Sequence, residues 1–100
     1  MSNIKISSPF FSKLTHQEVT AGTAVSSVLS AVNPGEKRIL LVIQNQSASV
    51  ITVILNGDIA VTSGITVQPD QLVSFDNYSG PLRIKSAAAG SLVHVAHANV

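Results

Sequence analysis

The chain has no cysteine and no tryptophan, and only 11% of its 100 residues are charged. Each absence removes a class of chemistry. Without cysteine there is no disulfide framework, no thiolate metal site and no cysteine nucleophile. Small exported domains commonly lean on disulfides, so assembly in a reducing compartment is the expectation. The aromatic residues are one tyrosine and three phenylalanines, too few for the stacking platform that single-stranded nucleic acid uses. Net charge is +1, and Lys37-Arg38 and Arg83-x-Lys85 fall short of a basic stripe that tracks a phosphate backbone. Nucleic acid is not an expected partner. The longest apolar run, ILLVI at residues 39–43, is far below the roughly 20 residues of a membrane-spanning helix. The opening MSNIKI lacks the basic-then-apolar layout of a signal peptide. Neither membrane insertion nor export is expected.

What is present points to contact surfaces. Hydrophobic residues make up 45% of the chain, while charge is less than half the roughly 25% usual in soluble domains. The exterior must therefore be Ser, Thr, Asn, Gln, Ala and some aliphatics, and depletion of Lys, Glu and Asp marks the core of a protein–protein interface. Residues 38–55, RILLVIQNQSASVITVIL, hold two β-forming apolar runs around the polar break Gln44-Asn45-Gln46-Ser47-Ala48-Ser49. These runs do not alternate cleanly. Ile39, Leu41 and Ile43 point one way and Leu40 and Val42 the other; Val50 and Ile54 oppose Ile51, Val53 and Leu55. A sheet with one solvated face would alternate apolar with polar. A chain of this size buries only about two thirds of its unfolded surface. It can cover one face with its own core, so the other is expected to meet a partner, as in an assembly subunit.

Residues 1–13, MSNIKISSPFFSK, read as an N-terminal arm anchored by Phe10-Phe11, and residues 14–100 as one domain. The domain reads as strands throughout. A weak strand over 14–20 is followed by 23–32 (TAVSSVLSAV), a strand with a bulge. Asn33-Pro34-Gly35-Glu36 fits a type II turn, with Pro second and Gly third. Two central strands over 37–45 and 49–55 follow. Asn56-Gly57-Asp58 is a hairpin signal leading into a brief strand over 59–61. Further strands are expected over 65–67, 71–76, 81–86 and 91–97, with Leu82 and Ile84 inward and Arg83 and Lys85 outward. About seven to nine short strands with frequent turns predict an all-β, antiparallel β-sandwich, jelly-roll-like or Ig-like.

Catalytic signals are missing. His94 and His97 are three apart on one strand, so they point to opposite faces, and His16 is distant in sequence. Structural or surface histidines are the reading. Asp58, Asp70 and Asp76 sit at turns, where Asp caps its own backbone, without the closely spaced ligands of a calcium loop. No nucleophile elbow, dinucleotide loop or phosphate-binding loop occurs. The chain is not expected to be an enzyme or to need a cofactor, metal or small-molecule substrate. Tyr78, in Asn77-Tyr78-Ser79-Gly80, is the one candidate platform for a sugar; the other reading is a turn tyrosine packed over the sandwich edge.

Within residues 38–95 an apolar strand ends in Gln-Asn (LLVIQNQSAS), and a second carries a Gly turn (VITVILNGD). A Gly-to-Pro segment follows (SGITVQPDQLVSFD), then an aromatic-Gly-Pro turn, a short strand and a valine strand (YSGPLRIKSAAAGSLVHV). This succession resembles small β-sandwich virion proteins of tailed bacteriophages, of the capsid decoration (cement) or spike type. The likeness covers about 60 of 100 residues and is one of rhythm. In that pattern Asn45 ends a strand, Pro69 starts the turn before the amphipathic strand and Gly80 precedes a buried strand; Asp70 stands where the pattern has Gly. The resemblance implies a decoration protein that binds the outer surface of a phage capsid. It implies a homotrimer whose partner is the major capsid protein, located in the virion after synthesis in the host cytoplasm. The alternative is a spike or fibre module binding a host receptor or carbohydrate. The expected contact residues are Phe10 and Phe11 of the arm, the non-core face of the central strands (Leu40, Val42 and Ile51 or Val53), and Tyr78.

Overall fold

Val, Ile, Leu and Thr fill the segments that pair, and clusters of Gly, Pro, Asn and Asp end them. The computed structural model describes residues 14–99. In chain order the strands are β1 (Thr15–Ala21), β2 (Ser26–Leu29), β3 (Arg38–Asn45), β4 (Ile51–Ile54), β5 (Ile65–Val67), β6 (Leu72–Asp76), β7 (Leu82–Ser86) and β8 (Ser91–Asn99). They form two four-stranded antiparallel sheets, ordered β1-β8-β3-β6 and β2-β7-β4-β5. Only β4 and β5 follow one another within a sheet; every other connection crosses between the sheets. That order is a jelly roll, one of the two architectures expected, and not the Ig division of strands. The arm at residues 1–13, with Phe10 and Phe11, lies outside the described residues.

One alternating set from each strand fills the space between the sheets. Leu41 and Ile43 of β3, Ile51 and Val53 of β4, Leu82 and Ile84 of β7, and Val93 and Val95 of β8 are all completely covered. Each such aliphatic side chain contributes about 1.5–3 kcal/mol on burial. The two central runs therefore do not pair with each other. The polar break between them carries the chain from one sheet to the other, and each run buries its odd-numbered side chains in the shared core.

The turn chemistry follows the expected residues closely. Gly35 takes φ +89°, and Glu36 N–H donates to the Asn33 carbonyl at 3.0 Å, as the type II assignment requires. Asp70 takes φ +64°, so an Asp here tolerates the left-handed conformation for which Gly was the expected residue. Gln71 N–H closes that turn onto the Gln68 carbonyl at 3.0 Å. The bulge expected in the second strand is present as a register shift between Ser27 and Leu29.

The segment after β4 differs from the expectation. No strand forms over residues 59–61, and Asn56-Gly57-Asp58 does not make a two-residue hairpin. Instead residues 55–64 form a long loop between β4 and β5. The Arg83 guanidinium donates to the carbonyls of Asn56, Asp58 and Val61 at 3.3, 2.8 and 3.0 Å. Asn56 and Asp58 cap their own backbone, accepting from the N–H groups of Asp58 and Ala60 at 2.7 and 2.9 Å. Carbonyls drawn to a cation and backbone amides held by side chains cannot form a ladder.

Gly64 ends this loop against β4. A Cβ there would lie 2.1 Å from the Val53 carbonyl oxygen, a backbone atom that cannot move without parting the strands. Gly64→Ala is therefore expected to cost about 2–3 kcal/mol. Gly22 has open space around it, so Gly22→Ala should stay within about 0.5 kcal/mol of the wild type. Urea denaturation of the pair checks both.

Candidate interaction face

The outer face of the β1-β8-β3-β6 sheet is assembled by its register. Leu40 lies between Ala98 and Asp76, Val42 between Ala96 and Ser74, and Gln44 between His94 and Leu72. From β1, His16 opposes Ala96, Glu18 opposes His94 and Thr20 opposes Leu92. Ala96 and Ala98 are small and nearly covered, while Leu40 and Val42 stand half-exposed beside them. Leu72 and Leu92, at 55% and 45% exposure, are open to solvent. Among the described residues the face carries two carboxylates, Glu18 and Asp76, and no exposed lysine or arginine. Leu40, Val42, Leu72 and Leu92 give it an aliphatic stripe, set among the polar side chains of His16, Glu18, Thr20, Gln44, Ser74, Asp76 and His94. Aliphatic groups with few charges are what interface cores favour.

The corresponding face of the other sheet is covered by the chain itself at Ile54 and Arg83, while Ser27, Thr52, Thr66 and Lys85 remain exposed or half-exposed. Arg83 and Lys85 do point away from the core, as their alternation with Leu82 and Ile84 predicts, but Arg83 is buried. The loop it holds lies over it, and Ile54, its register partner on β4, is 1% exposed although it lies outside the main core cluster. The outward aliphatic side chain of that sheet, Ile54, is thus covered within the domain.

The residues expected at a contact separate accordingly. Leu40 and Val42 are on the outer face and adjacent. Ile51 and Val53 are a correction: both are 0% exposed and lie in the core, because β4 belongs to the opposite sheet and turns those positions inward. Tyr78 is half-buried, with its ring against the core cluster. Its hydroxyl donates to the Pro81 carbonyl, and a Cβ on Gly80 would collide with the ring. It is a packed turn tyrosine. Phe75 also packs on the core, so neither aromatic residue among those described offers a free ring face to a sugar. Phe10 and Phe11 lie outside the described residues.

Two arginines act as carbonyl clamps. Beside Arg83, Arg38 is 2% exposed and donates to the Gly80 carbonyl at 2.7 Å and the Ser30 carbonyl at 2.8 Å, with a longer contact to the Tyr78 carbonyl. Burial lowers the Arg38 pKa, an effect partly offset by Tyr78; burial raises that of Tyr78, with Arg38 acting the other way. The guanidinium stays charged regardless. The basic pair Lys37-Arg38 is thus half-consumed by structure.

At one end of the sandwich the β3–β4 and β7–β8 turns border an open cleft of about 310 Å³. Its walls are Ser, Ala, Gly, Gln and Leu92, with no charged side chain.

The histidines end in an arrangement that sequence distance concealed. His94 and His97 do lie on opposite sides of β8. The sheet, however, makes β1 and β8 neighbours, and His16 Nδ1 lies 2.9 Å from His94 Nε2 on the outer face. Their ring centroids are 5.1 Å apart. The missed signal was topological: a Greek-key return places the last strand beside the first. Among the described residues no group of three or more His, Cys, Asp or Glu side chains is placed to enclose a metal ion, and no helix is long and apolar enough to cross a membrane. No protein-family model matches the chain, and no curated protein matches it.

Proposed function

We propose that this chain is a structural virion subunit of a tailed bacteriophage that binds the outside of the capsid and stabilises it as a decoration protein. The observation that carries this reading is the outward aliphatic stripe of Leu40, Val42, Leu72 and Leu92, beside the nearly covered Ala96 and Ala98. On the other sheet the outward aliphatic Ile54 is covered within the domain, and the remaining outward positions are polar. The resemblance of residues 38–95 to phage β-sandwich proteins gives the partner its chemistry: a coat-protein lattice, bound by homotrimers. The jelly-roll order is compatible but not specific, since capsid, lectin and cupin domains share it. The role is mechanical and not enzymatic. A subunit that binds only the assembled shell stabilises it by RT ln(1 + [L]/Kd) at each site, through interfaces of roughly 1,200 Å² or more in total.

Light scattering of the purified chain across concentration, followed by addition to empty shells, tests the reading. The informative variant is Val42→Glu, which puts a charge at the centre of the face. It should remain folded by circular dichroism and bind shells about 30-fold more weakly or worse. Thr66→Glu, an exposed substitution on β5 of the other sheet, should bind like the wild type. Equal binding by the wild type and Val42→Glu would move the contact off this face; failure of the wild type to bind shells would remove the decoration role.

A further inference from the structure

We propose that His16 and His94 form a binding site for one divalent late transition-metal ion, with the remaining coordination positions open to water or a partner. The two rings project from adjacent strands on the same face, diagonal in the β1–β8 register: His16 opposes Ala96 and Glu18 opposes His94. Their facing nitrogens, His16 Nδ1 and His94 Nε2, are 2.9 Å apart, and the ring planes are inclined by 42°. Two imidazole nitrogens each ~2.05 Å from one ion, at a right angle to one another, are ~2.9 Å apart. The register therefore brings both rings within reach of one ion, and the 2.9 Å separation is that of the N–H···N hydrogen bond between them. Side-chain rotation breaks that bond and turns both lone pairs toward a common point.

In the metal-free pair one ring donates its N–H to the other. On coordination the donor ring moves that proton to its other nitrogen, so both facing nitrogens offer lone pairs and no net proton is lost. The β1–β8 ladder, from Thr15 opposite His97 to Ala21 opposite Ser91, holds the edge strand β1 in register and limits the ordering cost of binding. Imidazole suits Cu²⁺, Ni²⁺ and Zn²⁺. A right-angle pair matches the square or octahedral geometry of the first two better than the tetrahedron of Zn²⁺. Glu18 adds negative charge on the same face, and among the described residues no exposed lysine or arginine shares that face. Residues 1–13 contain no histidine, cysteine or carboxylate side chain. His97 lies across β8 and faces Asn99 Oδ1 at 3.4 Å, which makes it an internal control.

Isothermal titration of the full chain with NiCl₂, repeated with CuCl₂ under electron paramagnetic resonance, tests the site. Saturable uptake of no more than one ion per chain is expected. Excess Ni²⁺ should raise Tm by about 5 °C, and the Cu²⁺ spectrum should carry coupling to two nitrogens. His16→Gln and His94→Gln should each weaken binding by about tenfold or more, while His97→Gln leaves it unchanged. His16 is exposed and His94 half-exposed, so circular dichroism of both variants should match the wild type. Absence of saturable uptake would overturn the proposal, as would binding that survives both His16→Gln and His94→Gln. Equal weakening by His97→Gln would overturn it too.

Discussion

Replacing Asn45 with alanine is expected to lower stability by about 3–4 kcal/mol, the largest loss from any single polar side chain here. Asn45 is 0% exposed, at the point where β3 leaves one sheet and the chain crosses to the other. Its amide nitrogen donates to the carbonyls of Ser49 and Val67 at 2.7 and 2.9 Å. Its amide oxygen accepts from Ser47 N–H at 2.9 Å and Ser47 Oγ at 2.7 Å. An Asn side chain has two donors and two acceptor positions, and all are satisfied. Alanine strips the Val67 carbonyl and the Ser47 N–H of this partner around a small void, and each buried polar group so abandoned costs about 1–3 kcal/mol. Ser47 Oγ and the Ser49 carbonyl keep their own hydrogen bond at 3.1 Å, so the sum stays well below four such penalties. At 4–8 °C per kcal/mol for a domain of this size, Tm should fall by about 12 °C or more. Asn45→Asp should be at least as damaging, since a carboxylate would face two carbonyl oxygens that now accept hydrogen bonds. Urea denaturation at neutral pH measures both; a loss below about 1 kcal/mol would mean that the crossover is held by its backbone bonds alone.

Arg38→Ala is expected to cost roughly 2–4 kcal/mol, and Arg38→Lys to recover little of it. The guanidinium forks between two parts of the chain, donating to Ser30 ahead of the turn into β3 and to Gly80 just before β7. Opposing terms decide the size. Charge-assisted hydrogen bonds contribute about 1.5–3 kcal/mol each, whereas burying a cation among carbonyls, with Nε left without a partner among the described residues, carries a desolvation cost. Two bonds at 2.7 and 2.8 Å outweigh it, because truncation leaves both carbonyls unpaired and also removes the packed stem. A lysine ammonium is one point charge and cannot span both acceptors. If Arg38→Lys proves as stable as the wild type, the fork is not what joins these loops.

Much of the framework was legible because its causes are local. The all-β class came from β-branched runs, and the turn at residues 33–36 from Pro34 and Gly35. The direction of Arg83 and Lys85 followed from alternation with Leu82 and Ile84. Of the outer-face residues, Leu40 and Val42 could be read as the side opposite Leu41 and Ile43, and Leu72 as the side opposite Val73 and Phe75. Ile51 and Val53, expected on the outward face, lie in the core, since Val50 and Ile54 offered an equally apolar alternative for that side.

The sequence by itself determined the all-β class, the turns at residues 33–36 and 68–71, and the exclusion of disulfide and thiolate chemistry that follows from missing cysteine. Only the tertiary structure decided which sheet each central run joins, that residues 55–64 cover Ile54 and Arg83, and that His16 meets His94. The physical reason is the range of the information. A period of two residues fixes which side chains share a face of one strand, and a turn residue fixes its own φ. Which strand lies alongside, and what covers the outer face, depend on pairings between residues as far apart as His16 and His94, which no local pattern encodes.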